Sequence, residues 1–209
     1  MKFSLIARAS CVPALAALTC GTALAQTYPA KPVRVIVPFA AGGTFDTVAR
    51  VVSQKLAETW AQQVIVDNRP GGGTIIATEM AARANPDGYT LYLSSNALAA
   101  NPALQKKLPY DTQRDLRPVV LVASQPMSLG ANPAFKANTI AELIELAKAK
   151  PGELSYGAAG IGSGGHLAGE IFKAAAGINI VPISYKGGNI STLEVFSNNI
   201  PLLMTGLLN

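Results

Sequence analysis

The chain of 209 residues carries 17 basic and 12 acidic side chains, one histidine and two cysteines. Its formal charge of +5 is mild, and no Lys/Arg run or aromatic interleaving concentrates it. Nucleic acid is therefore set aside as a partner, and a small anion is favoured.

At the start, Lys2 and Arg8 form a positive n-region, residues 9–23 are an apolar stretch too short to span a membrane, and Ala23-Leu24-Ala25 supplies a small-x-small pattern. Residues 1–25 are thus expected to be a signal peptide cut after Ala25, which delivers the protein to the periplasm. A lipoprotein signal ending at Cys20 fits less well, because Thr19 stands where a smaller residue is usual. Removing the leader, with its two basic residues and no acidic one, leaves 184 residues of net charge +3 and takes Cys11 and Cys20 away. Disulfides and cysteine-ligated metals are then excluded, and the core alone must hold the fold, which burial permits at this length.

Residues 33–39 are a short apolar, β-branched run that predicts a strand, and residues 44–60 place Phe45, Val48, Val52, Leu56 and Trp60 near helical spacing. A second strand is expected over 64–67, a break over 68–73, a helix over 75–84 ended by Asn85-Pro86-Asp87-Gly88, and a third strand over 89–93. This βαβαβ order with short connections predicts the α/β class, a mostly parallel sheet with helices on both faces. Past a composition shift near 118–126, residues 119–123 read as a buried strand and 128–131 as another. Residues 139–150 read as a helix with Ile140, Leu143, Ile144 and Ala147 turned inward. Pro151-Gly152 stops that helix, and a strand over 154–158, a helix over 166–176 closed by Gly177 and a strand over 178–185 restart the rhythm. Two lobes of similar build follow, 26–123 and 124–209, without a sequence repeat between them.

Three glycine-rich connections between predicted strands and helices stand where α/β sheets place ligands. In Pro38-Phe39-Ala40-Ala41-Gly42-Gly43-Thr44-Phe45-Asp46 the glycines let the backbone approach a ligand, and N–H groups at the helix start can hold a carboxylate or phosphate. Plain turn chemistry, with Thr44 as N-cap and Asp46 complementing the helix dipole, is the alternative. The second connection, Gly160-Ile161-Gly162-Ser163-Gly164-Gly165-His166, also matches the dinucleotide fingerprint G-x-G-x-x-G. That fingerprint needs an acidic residue at the end of the next strand, where this chain has Tyr185 and Lys186. An NAD(P)-dependent oxidoreductase using residues 160–165 is therefore the second-ranked reading, while anion binding through Ser163 and the N–H groups after it stands.

A serine hydrolase needs a histidine base, and the sole histidine, His166, sits three residues after Ser163 on the same helix opening. Ile161 also stands where a G-x-S-x-G elbow requires glycine. One histidine and scattered carboxylates predict no metal cluster. The third connection, Tyr185-Lys186-Gly187-Gly188, sets an aromatic ring and a cation at the cleft edge, with Lys186 either pairing with a carboxylate or solvated at the surface.

Taken together these segments resemble the signature of the tripartite tricarboxylate transporter receptors, the Bug family. The similar stretches are Tyr28-Pro-Ala-Lys-Pro-Val-Arg-Val-Ile-Val-Pro-Phe39, Gly42-Gly-Thr-Phe-Asp46, Asn68-Arg-Pro-Gly71, Pro86-Asp-Gly-Tyr-Thr90, Leu108-Pro-Tyr-Asp111, Gly162-Ser163 with His166-Leu-Ala-Gly-Glu170, and Tyr185-Lys-Gly187. The resemblance implies a two-lobed α/β fold of the periplasmic binding protein type II kind. It also implies a solute-binding protein, not an enzyme, that works without a cofactor and as a monomer, and that hands a small carboxylate to large and small membrane subunits. Carried over by motif, Phe39, Ala40, Gly42, Gly43, Thr44 and Asp46 would wrap the near carboxylate through backbone N–H groups and ordered waters. Gly160, Gly162, Ser163, Gly164 and His166 would grip the far end. Ser95 and Asn96 would add contacts from the first lobe, and Tyr185 and Lys186 from the second. Residues 201–209 resemble a region midway through the family's second lobe, so that lobe is expected to be truncated at its C-terminus, and a non-functional remnant of the receptor is a third reading.

Overall fold

The computed structural model describes residues 27–207, so the expected signal peptide, its cleavage site and both cysteines lie outside the described residues. The first lobe holds β1 (Val33–Val37), α1 (Thr44–Trp60), β2 (Val64–Asn68), a 3-10 turn (Gly72–Thr74) running into α2 (Ile75–Ala82), β3 (Thr90–Tyr92) and α3 (Ala97–Leu104). The second holds β4 (Met127–Ala131), α4 (Ile140–Ala149), β5 (Ser155–Ala158), α5 (Gly164–Ala176), β6 (Val181–Ser184), α6 (Gly188–Phe196) and β7 (Leu202–Gly206). The expected two-lobed α/β architecture is what the chain adopts, with one sheet ordered β2-β1-β3 and the other β4-β7-β5-β6.

The first sheet is wholly parallel. In the second, β5 pairs in parallel with β6 and β7, whereas β4 runs antiparallel to β7. The exception has a simple origin: β4 enters from the interlobe linker, not through a crossover helix of the kind that parallel pairing requires. Central strands are buried on both faces, which is why β1 reads as an apolar run interrupted only by Arg34 and keeps Val33, Ile36 and Val37 out of water.

Val35, Val37 and Ala49 form the first lobe's core, with Phe45, Val64, Val66, Leu91 and Leu93 against it. In the second lobe Tyr156, Ala158, Leu202 and Met204 pack with Leu143, Ala147, Ile178 and Ile180.

Two packing expectations fail. Residues 119–123 form no strand among the described residues, and Val119 and Leu121 are 84% and 83% exposed. Apolar composition argues for burial only where a neighbouring strand supplies a ladder, and this segment pairs with no strand among the described residues. Ile140, expected to face inward, is 52% exposed because it opens α4, ahead of the turn on which Leu143 and Ala147 meet the core.

Candidate functional site

The chain leaves the carboxyl end of β1 through a tight loop. Gly42, at φ +82°, turns the backbone so that its N–H donates to Asp46 Oδ2 at 2.9 Å, and Arg50 Nε donates to the same oxygen at 2.9 Å. Burial pushes the Asp46 carboxyl up, but the hydrogen bonds from Arg50, Gly42 and Asn68 outweigh it and hold the group below the usual carboxylate range. The N-cap of α1 is Gly43, without a side-chain cap, so Thr44 is the first helical residue and not the cap that the plain-turn alternative made it.

The loop after β5 is built alike. Gly162, at φ +77°, donates its N–H to His166 Nδ1 at 3.4 Å, and Ser163 caps α5 by accepting the backbone N–H of His166 on Oγ at 3.3 Å. The Ser163 hydroxyl therefore meets the histidine's backbone and not its ring, an arrangement without the serine–base bond that a nucleophile needs. Gly165 admits no side chain, since a Cβ there would lie 2.1 Å from the Met204 carbonyl oxygen. That close approach seats the start of α5 on the end of β7.

Both loops open onto one cavity that encloses about 420 Å³ of empty space, its open mouth included. It is lined at the start of α1 by Phe39, Gly43, Thr44 and Phe45, at the start of α5 by Ala159, Ser163, Gly164 and Gly165, and at the start of α6 by Gly187 and Gly188. Met204, Thr205 and Gly206 from the end of β7, Gln125 from the linker and Met127 from the start of β4 complete it. Among the described residues, no Lys or Arg lines it. Three helix N-termini, with the partial positive charge of their dipoles, thus converge on a space that no Lys or Arg lines among the described residues.

Of the residues expected to bind, Phe39, Gly43, Thr44, Ser163 and Gly164 line this space. Gly42, Asp46, Gly160, Gly162 and His166 stand behind them and shape the two loops, Gly160 through its carbonyl, which accepts from Ser163 N. Ala40 faces the other lobe, its N–H donating to Lys186 O at 2.9 Å, while the Lys186 side chain is exposed. Ser95 Oγ accepts from Ala97 N at the start of α3, and Asn96 Oδ1 lies 3.9 Å from where a Gly164 Cβ would be, which puts Asn96 across the cleft from α5. Tyr185 is not at the cleft edge: its ring packs beneath α6 with Ile183 against Val195, Ile200 and Leu203. Alternation along β6 turns that ring into the lobe. Sequence reading missed Gln125, Met127 and 204–206, which reach the site only through long-range folding, and Asn189, whose one signal is its place after Gly187-Gly188 at a helix start.

Residues 48–207 match the model of the tripartite tricarboxylate transporter family receptor. The chain belongs to that receptor family. A protein of Bordetella pertussis that carries only a UPF0065 designation is 41% identical over 186 residues, 88% of this chain and 57% of that protein. BugT of the same organism is 40% identical over 82% of this chain and 53% of its own. The chain therefore spans about half the length of these curated relatives.

Solved structures of similar fold include the periplasmic binding protein BugD, with TM-score 0.81 and 36% identity over 87% of this chain and 61% of that one. A second is an R. palustris protein with adipate, with TM-score 0.82 and 32% identity over 86% and 60%. A third is MatC from Rhodopseudomonas palustris with bound malate, with TM-score 0.81 and 27% identity over 86% and 61%.

Proposed function

We propose that this chain is a periplasmic receptor that captures a small carboxylate between its lobes, as a monomer and without turnover. It would deliver the ligand to the large and small membrane subunits of a tripartite tricarboxylate-type transporter. The observation that carries the reading is the convergence of the α1, α5 and α6 N-termini on one cavity. Helix starts bind carboxylates through backbone N–H groups and the helix dipole, and the glycines at Gly43, Gly164, Gly165, Gly187 and Gly188 leave that backbone uncovered. Export through residues 1–25, with cleavage after Ala25, belongs to the same reading. The adipate and malate held by proteins of the same fold support the ligand class. A ligand that bridges the lobes binds the closed form better than the open one and so shifts the population toward closure, the state a membrane partner would recognise.

Thermal unfolding with adipate, malate, citrate, NAD and NADP tests this. A ligand that binds only the folded state raises Tm by mass action, by about 2.7 kcal/mol of stability at a concentration 100 times Kd. The expected result is a shift with at least one carboxylate and none with either nucleotide. A shift with NAD or NADP alone would overturn the receptor reading in favour of a dinucleotide site at residues 160–165.

A further inference from the structure

We propose that Asn189 is the latch that holds the two lobes together over the cavity, a positioning residue through which closure sets the affinity of the site. Its effect on affinity rests on the carboxylate-receptor reading; its effect on closure does not. Asn189 is the second residue of α6, where a short polar side chain ordinarily serves its own helix start. Here it does not. The helix is capped by Gly187 without a side-chain bond, and Asn189 Nδ2 instead donates to Ala41 O in the first lobe at 3.1 Å, across 148 residues of sequence.

Beside that bond the Ala40 N–H donates to Lys186 O at 2.9 Å. The two bonds run in opposite senses between the loop after β1 and the loop after β6, so neither can persist if the lobes part. The amide is wedged between two glycines that line the cavity: a Cβ would come within 3.3 Å of Asn189 Oδ1 at Gly43 and within 2.7 Å at Gly187. In this position Oδ1 is buried with no partner among the described residues. Closure therefore gains the Nδ2 bond and leaves an acceptor dry, which keeps the empty closed form marginal and lets a ligand bridging the α1 and α6 starts decide it.

The test uses the full chain, its Asn189→Leu variant, which keeps the volume without the donor, and its Asn189→Asp variant, which faces an oxygen toward the Ala41 carbonyl. Two readouts are paired: calorimetric titration with adipate and malate, and amide hydrogen exchange of Ala40, whose N–H donates across the lobes to Lys186 O. Exchange at Val35 and Ile36 of β1 reports the fold of the first lobe itself. Both variants are expected to bind the acids about 5- to 10-fold more weakly, the worth of one lost hydrogen bond. Without ligand, Ala40 should exchange faster by a similar factor while Val35 and Ile36 stay protected. Unchanged Ala40 exchange overturns the latch, and so does acceleration at Val35 and Ile36 in step with Ala40, which would make Asn189 a stability residue only. If the wild-type chain binds neither acid, the receptor reading loses its support, and Ala40 exchange still decides for or against the latch.

Discussion

The loops after β1 and β5 make the same turn with different side chains. In each, a glycine of positive φ, Gly42 or Gly162, donates its N–H to the residue four positions on, Asp46 or His166. The first bond, at 2.9 Å, ends on a carboxylate that Arg50 also holds, whereas the second spans 3.4 Å to a ring nitrogen. Charge-assisted bonds are shorter and roughly twice as strong, so the first lobe carries the stiffer anchor and the second the softer jaw. Position by position, Gly43 matches Ser163, Thr44 matches Gly164 and Phe45 matches Gly165. The lobes thus share a backbone repeat without sharing a sequence, because a helix start can be closed by unlike side chains.

The sharpest asymmetry is at the fourth position, where Phe45 packs on the first core while Gly165 lies against β7. Gly165→Ala should be the most damaging change, costing about 1–3 kcal/mol of overpacking strain and pushing α5 off the Met204 carbonyl. A Tm equal to wild type would show that α5 has room to shift.

Next comes Asp46→Ala, expected to cost about 1–2 kcal/mol as the hydrogen bonds to a buried carboxylate are lost. Its acid dependence checks the cause. The folded carboxyl is held below its ordinary value, so its stabilisation is full above about pH 5 and fades as pH falls through ~3.9 toward the lower folded value. The Tm gap between wild type and variant should therefore close on acidification, and a gap independent of pH would mean that the carboxylate is not what shuts the loop. The smallest effect is expected for His166→Ala, under about 1 kcal/mol, since the long bond to Gly162 N is lost while the Ser163 cap remains. A loss as large as that of Asp46→Ala would erase the proposed contrast between anchor and jaw.

Local pattern made much of this legible. The helix over 44–60 was readable to its ends, and the strand expected over 33–39, which ends at Val37, was visible because its β-branched, apolar run is a local signal. Both glycine-rich loops announced themselves, since positive φ and close backbone approach leave glycine in the sequence. What failed to show was whatever depends on a neighbour. Residues 119–123 look like a strand and lie exposed, Tyr185 looks like a cleft residue and packs under α6, and α6 itself, opening on two glycines, has no stripe to reveal it.

Local sequence set the α/β class, the strands and helices from β1 to β3 and from β4 to β6, and the glycine-rich connections that open onto the cavity, because propensity, periodicity and turn chemistry act over a few residues. Only the folded structure decided that the three helix starts meet over one cavity, that β7, Gln125 and Met127 close it, and that Asn189 reaches Ala41. Those contacts join residues far apart in the chain, and their energy exists only once both lobes have folded and met.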